Sequence, residues 1–172
     1  MIYLQPVTPD VVSIYLDIGL KSYQQHYLHL WEKQNPTPYV SKSFTNEVLE
    51  EELIDDNVEN FLVKVEETVI GIVKLIKNKA IEEHDAKSSL LIQKIYFLKE
   101  YSGKGYGQQL LSLLEKYARE LGKKIIWLDT MQKGNALNFY LRNGFSILKE
   151  SKLELPHAIE AERPMWVLTK TL

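Results

Sequence analysis

The chain contains no cysteine, so it can build neither a disulfide framework nor a cysteine-type zinc finger, and it has no thiol nucleophile. No apolar run approaches the length that spans a bilayer, and the opening MIYLQPVTPD lacks a basic stretch followed by an apolar core. A cytoplasmic location without a membrane partner is therefore expected. Internal repeats, low-complexity segments and linkers are absent as well. At 172 residues and 45% apolar content, the chain is expected to form one domain, residues 1–172, around one sizeable core. A net charge of −2 argues against nucleic-acid binding. That total conceals an asymmetry: residues 1–88 carry a net −7 and residues 89–172 a net +5. An anionic ligand on the basic half and a cationic one on the acidic half would suit this division, although runs such as Glu50-Glu51-Glu52 also read as solvated faces.

The most informative stretch is LLIQKIYFLKEYSGKGYGQQLLSLLEKYAREL, Leu90 to Leu121. Leu90 to Leu98, with Ile95, Tyr96 and Phe97, suits a largely buried strand. From about Gln108, Leu110, Leu114, Tyr117 and Leu121 recur at helical spacing, and Gly122 followed by Lys123 and Lys124 supplies a stop. Between strand and helix lies Ser102-Gly103-Lys104-Gly105-Tyr106-Gly107. Glycine at alternate positions leaves few Cβ atoms in the way, so successive N–H groups can converge at a helix N-terminus, and a diphosphate would fit there. A turn that uses glycine only for tight geometry is the alternative. Neither the P-loop spacing nor the GxGxxG dinucleotide spacing is present.

Elsewhere, Ile2 to Gln5 reads as a strand. Thr8-Pro9 reads as a helix start, with the helix running through Tyr23, His26 and Tyr27 to Trp31 and stopping at Asn35-Pro36-Thr37-Pro38. Thr45 is a candidate cap for a second helix. Phe61 to Val65 and Val69 to Leu75 read as a hairpin. Ile125 to Leu128, Phe145 to Leu148 and Met165 to Leu168 complete a count of seven strands and about four helices.

A second motif lies at Asn135-Ala136-Leu137-Asn138-Phe139-Tyr140-Leu141-Arg142-Asn143-Gly144-Phe145, a short helix with a left-handed cap expected at Asn143-Gly144. Together with the glycine turn it resembles the GNAT superfamily of acyl-CoA-dependent N-acetyltransferases. Segments including SYQQHYLHLWEKQN and KKIIWLDTMQKGNALNFYLRNGF look like its bacterial spermidine/spermine N-acetyltransferase group. The resemblance implies a mixed α/β fold whose seven-stranded sheet splays near its fourth and fifth strands, with about four flanking helices. It also implies acetyl-CoA as co-substrate and a small-molecule primary amine, a polyamine first, as acceptor. A protein N-terminus or lysine acceptor, or a non-catalytic acyl-CoA-binding module, is the alternative. No metal is called for, and a homodimer is expected from strand pairing in the family.

Residue by residue, the resemblance assigns the cofactor to Ser102, Gly103, Lys104, Gly105, Tyr106, Gly107 and Gln108, to the strand Ile95, Tyr96 and Phe97, and to Asn135 and Arg142. Tyr140 matches the family's acid that protonates the departing thiolate. Tyr23, His26, Tyr27 and Trp31, in the acidic half, would hold an alkylammonium chain by carboxylates and cation–π contacts. Two departures stand out: Ser102 replaces the usual Arg or Gln, and Gln93 occupies the position where a carboxylate base often sits. His84, Glu83 and His26 are the available substitutes for that base.

Overall fold

The computed structural model describes residues 1–172. Its seven strands are β1 (Ile2–Pro6), β2 (Val58–Val65), β3 (Thr68–Ile76), β4 (Ser89–Phe97), β5 (Ile125–Met131), β6 (Ser146–Lys152) and β7 (Pro164–Thr171), and the helices are α1 (Val12–Tyr27), α2 (Thr37–Ser43), α3 (Asn46–Ile54), α4 (Tyr106–Glu120) and α5 (Ala136–Arg142). They form one mixed sheet in the order β1-β2-β3-β4-β5-β7-β6. Only β4 and β5 run parallel, and they pair only at Ser89–Leu91 against Ile125–Trp127 before separating. The sheet is thus splayed where the sequence resemblance places the opening. No helix is long and apolar enough to cross a membrane.

Side chains alternate across the sheet and give it two cores. On one face Val63, Val73, Leu90 and Ile126 meet Leu110, Leu111 and Leu114 of α4. Each of these α4 leucines is at most 1% exposed, and such burial contributes roughly 1.5–3 kcal/mol per side chain. On the other face Leu62 and Ile72 meet Tyr15, Phe44 and Leu49 from the α1–α3 layer. Gly19 on α1 permits this contact, since a Cβ there would lie 2.3 Å from the Phe44 ring.

Several local expectations are corrected. The first helix ends at Tyr27 and not at Trp31: a 3-10 turn covers Leu28–Leu30, and Trp31 joins Ala158 in an antiparallel bridge. Pro38 does not only end a helix. It sits in the first turn of a separate helix, α2, where its missing N–H costs nothing, so there are five α-helices where about four were expected. Helix α4 begins at Tyr106, two residues before Gln108. Thr8 makes no cap bond and instead donates to Asp10. Thr45 does cap α3, accepting from Val48 N–H at 3.3 Å.

Candidate active site

The wedge between β4 and β5 begins at a β-bulge. Lys74 of β3 pairs with Lys94, but the next residue, Leu75, pairs with Ile92, leaving Gln93 as the extra residue of β4. Leu98 N–H donates to Ile70 O, and Tyr96 lies opposite Ile72, so alternation turns the peptide groups of Ile95 and Phe97 away from β3 into the wedge. No strand covers them there. His26 takes one of these groups: its Nε2 lies 3.0 Å from Phe97 O, and because a carbonyl only accepts, Nε2 carries the proton. Phe97 thus offers its N–H to an incoming chain, while its carbonyl already has one donor.

Two cavities open on the wedge. The outer one, about 710 Å³, is lined by Phe97, Ser102, Gly103, Gly105, Gly107 and Gln108, and across from them by Phe139, Arg142 and Asn143. Gly103 and Gly105 take φ of +74° and +82°, a conformation that side chains rarely adopt, and an added Cβ at either would meet nothing within 4 Å. Gly105 is the N-cap of α4, and the first α4 N–H to find a backbone acceptor is that of Gln109, on Gly105 O. The preceding first-turn N–H groups remain free, as an anion site at a helix N-terminus requires. Gly107 has a different reason to be glycine: a Cβ there would lie 3.0 Å from Phe139 Cζ, so its absence lets α4 approach α5.

Tyr140 stands where this cavity meets the second. Helix α5 holds it: Gly144 at φ +88° closes the helix, Phe145 N–H returns to Tyr140 O at 3.1 Å, and the Tyr140 ring sits edge-on to Phe139 and Phe145. Burial, reinforced by Tyr27, raises the phenol well above its ordinary value, so it is a neutral hydroxyl at physiological pH. No protein group hydrogen-bonds that hydroxyl.

The inner cavity, about 780 Å³, shares His26, Tyr27, Ile95, Tyr96, Asn135, Ala136 and Tyr140 with the outer one. Beyond this junction it is walled by Tyr23 and Tyr39, by Lys42, Lys74, Gln93 and Lys94, and by Met131, Leu153 and Met165 across the wedge. Tyr23 stacks on Tyr39 at 4.3 Å, and Tyr39 and Tyr96 share a hydroxyl contact of 2.6 Å. Burial pushes Tyr39 up to about 12 and also holds Tyr96 well above the ordinary phenol range, so this cluster is also neutral.

Of the residues singled out from the sequence, Tyr23, His26 and Tyr27 line the inner cavity together with Tyr140, Ile95, Tyr96 and Asn135. Trp31 does not: it is 1% exposed and donates from Nε1 to Tyr23 Oη at 3.0 Å, which makes it a core residue that buttresses a cavity tyrosine. Lys104 lies over the Tyr101 ring and neither it nor Tyr106 lines a cavity. Glu83 and His84 belong to a turn outside both cavities, which removes them as bases. Glu50, Glu51 and Glu52 also lie outside the lining; Glu52 is tied to Lys74 and Asn60. The acidic half therefore does not present its carboxylates to the wedge as its composition suggested. Sequence reasoning missed Lys94 and Tyr39, whose only signals were a charge inside an apolar strand and an aromatic directly after Pro36-Thr37-Pro38.

The chain matches the model of the acetyltransferase (GNAT) family over residues 21–145. It is 29% identical over 113 residues to an uncharacterized N-acetyltransferase in the pepI 3' region of Lactobacillus delbrueckii subsp. lactis, and the match spans 65% of this chain and 65% of that relative. Among solved structures, the PaiA N-acetyltransferase of Thermoplasma acidophilum in complex with coenzyme A superposes with a TM-score of 0.77 at 16% identity, over 100% of this chain and 99% of that one. The spermidine N-acetyltransferase of Vibrio cholerae, in complex with CoA and spermine, gives 0.74 at 16% identity, over 99% and 95%.

Proposed function

Because the chain belongs to the GNAT acetyltransferase family, we propose that it transfers an acetyl group from acetyl-CoA to a primary amine of a small molecule within a ternary complex. The observation that carries this reading is the meeting of two cavities at Tyr140, beside the uncovered edge of β4. The outer cavity suits acetyl-CoA: free N–H groups at the α4 turn would take the diphosphate, and the Ile95 and Phe97 N–H groups would take the amide-bearing arm. Acetyl-CoA supplies an activated thioester, and the remaining work falls to the protein's own residues.

An alkylammonium with a pKa near ~10.4 is neutral in only about one molecule in 10³ at pH 7, so the acceptor must lose a proton before attack. Gln93 cannot take it. His26 stands at the junction with Nε2–H committed to Phe97 O, which leaves Nδ1 as the lone-pair nitrogen and makes it our choice of base. As the new C–N bond forms and the C–S bond breaks, Tyr140 donates a proton, or a hydrogen bond, to the thiolate. With no cysteine in the chain, direct transfer is the consistent route.

The polyamine acceptor is supported by the spermine-bound Vibrio neighbour and by the aromatic faces of Tyr23 and Tyr27, but the cavity's charged lining weighs the other way: Lys74 and Lys133 are paired with Glu52 and Glu162, which leaves Lys42 and Lys94 against Asp129. Small amines that are not polycations fit it better. A homodimer is supported by the exposed edge strand β6, which presents Ile147 and Leu148 at 45% and 40% exposure.

The test is CoA release from acetyl-CoA across polyamines, amino acids, aminoglycosides and short peptides, on the wild type and on Tyr140→Phe. Turnover of a small amine that drops about 10²-fold or more in kcat with Tyr140→Phe is the expected result. Turnover confined to peptides would move the acceptor to proteins, and acetyl-CoA binding without any turnover would leave a binding module.

A further inference from the structure

The inner cavity contains a buried lysine whose amine has no counter-charge. Lys94 is only 5% exposed, yet it is part of the cavity wall. Its ammonium has one hydrogen-bond contact, Ser43 O at 3.5 Å, and lies 4.7 Å from the centre of the Phe44 ring and 5.9 Å from that of Tyr39. A buried ammonium ordinarily has a carboxylate partner or several carbonyl acceptors. The nearest acid, Glu52, is already taken: it binds Lys74 through one oxygen and Asn60 through the other, at 2.8 Å. Around Lys94 the layer therefore holds two ammonium groups and one carboxylate. Burial, aided by Lys74, brings Lys94 down to about 7, the mark of a charge that lacks its partner.

The position of this cation relates it to the acceptor. Lys94 directly follows the Gln93 bulge and precedes Ile95 and Tyr96, where the two cavities join. It shares the inner cavity with Tyr27 and Tyr140 but does not line the outer one. Its partner would therefore come with the acceptor and not with the acyl donor.

We infer that the acceptor carries a carboxylate as well as its reacting amine, and that Lys94 is the specificity-determining residue that receives this carboxylate. The inference rests on the acetyltransferase reading for the identity of the amine. The carboxylate completes an ion pair inside a cavity walled by neutral tyrosines, where water competes poorly and pairing is strong. A second ammonium at the same place meets a like charge and is rejected.

The decisive comparison uses matched amines that differ by one carboxylate: lysine against cadaverine, and ornithine against putrescine. In the wild type, kcat/KM is expected to favour the amino acid of at least one pair by about tenfold or more. In Lys94→Met, of similar length and suited to an apolar site, that ratio falls to about one or inverts, while the Kd for acetyl-CoA stays within about twofold. Lys94→Arg keeps part of the preference. Calorimetry of the same amines on the CoA-bound protein reads the preference without turnover. If none of them is acetylated, the acetyltransferase reading weakens for this class while a Lys94-dependent binding preference still upholds the anion site. Equal or tighter binding of the diamines by the wild type, or a preference unchanged in Lys94→Met, overturns the inference.

Discussion

The glycine turn before α4 and the inner cavity face the same wedge, but they are built differently. The turn is six consecutive residues, Ser102 to Gly107, whose usable groups are backbone N–H donors set by local dihedral angles. The inner cavity takes Tyr23 and His26 from α1, Tyr39 from α2, Lys94 from β4 and Met165 from β7, so its usable groups are side chains brought together by the whole sheet. Backbone recognition depends on permissive φ angles and tolerates most neighbouring side chains. Side-chain recognition depends on each residue's identity, and on the proposed function this is where an acceptor would be selected.

The contrast is broken most severely at Gly105. A β-branched residue at φ +82° costs of order 1–3 kcal/mol locally and adds a side chain to the open face of the turn, so Gly105→Val should weaken acetyl-CoA about 10- to 100-fold by calorimetry. Acceptor affinity should hardly change. If both ligands weaken alike, the two cavities are not separable.

Lys94 gives the next largest effect, and on stability its sign is opposite. Its folded pKa of about 7 lies below the ordinary lysine value near ~10.4, so between these limits the unfolded chain binds one proton more than the native protein. Stability due to this residue therefore rises with pH from about 7 to about 10 and is lowest below 7. Lys94→Met should stabilise the unliganded protein by about 1–4 kcal/mol at pH 6, with the advantage shrinking as pH rises through that window. Urea melts at several pH values check this, and a constant difference between the two proteins would contradict it.

The smallest effect is expected at Lys104. Because it lies over Tyr101 and outside both cavities, Lys104→Ala should change the acetyl-CoA Kd by less than about twofold at physiological ionic strength. A larger loss would show that the turn relies on side-chain charge after all.

Legibility in the sequence followed the same division. The Leu90–Leu121 strand, turn and helix, and the closure of α5 by Asn143-Gly144, rest on periodicity and glycine positions, which are local signals. The helix that carries Tyr140 is readable for the same reason, since α5 and its cap are contiguous, whereas the role expected of Tyr140 comes from the family resemblance. Trp31 was misplaced because an aromatic at the end of a helical run reads the same whether it faces a cavity or the core. Only the packed fold decides between them, by burying Trp31 and turning its Nε1–H to Tyr23. Lys94 was passed over because one lysine in an apolar strand ordinarily reaches solvent, and nothing local reveals that α2 closes over it.

The sequence by itself determined the seven strands, the glycine-rich turn before α4, the short capped helix that carries Tyr140 and the lack of any thiol, because each of these is a local property of the chain. Tertiary structure alone decided that the acidic half keeps its carboxylates out of the wedge, that His26 takes the Phe97 carbonyl, and that Lys94 is buried with its nearest acid already bound to Lys74. Charge counted along a chain says nothing about distance or solvent. A cation acquires its chemical meaning only when packing fixes what lies beside it and how much water remains.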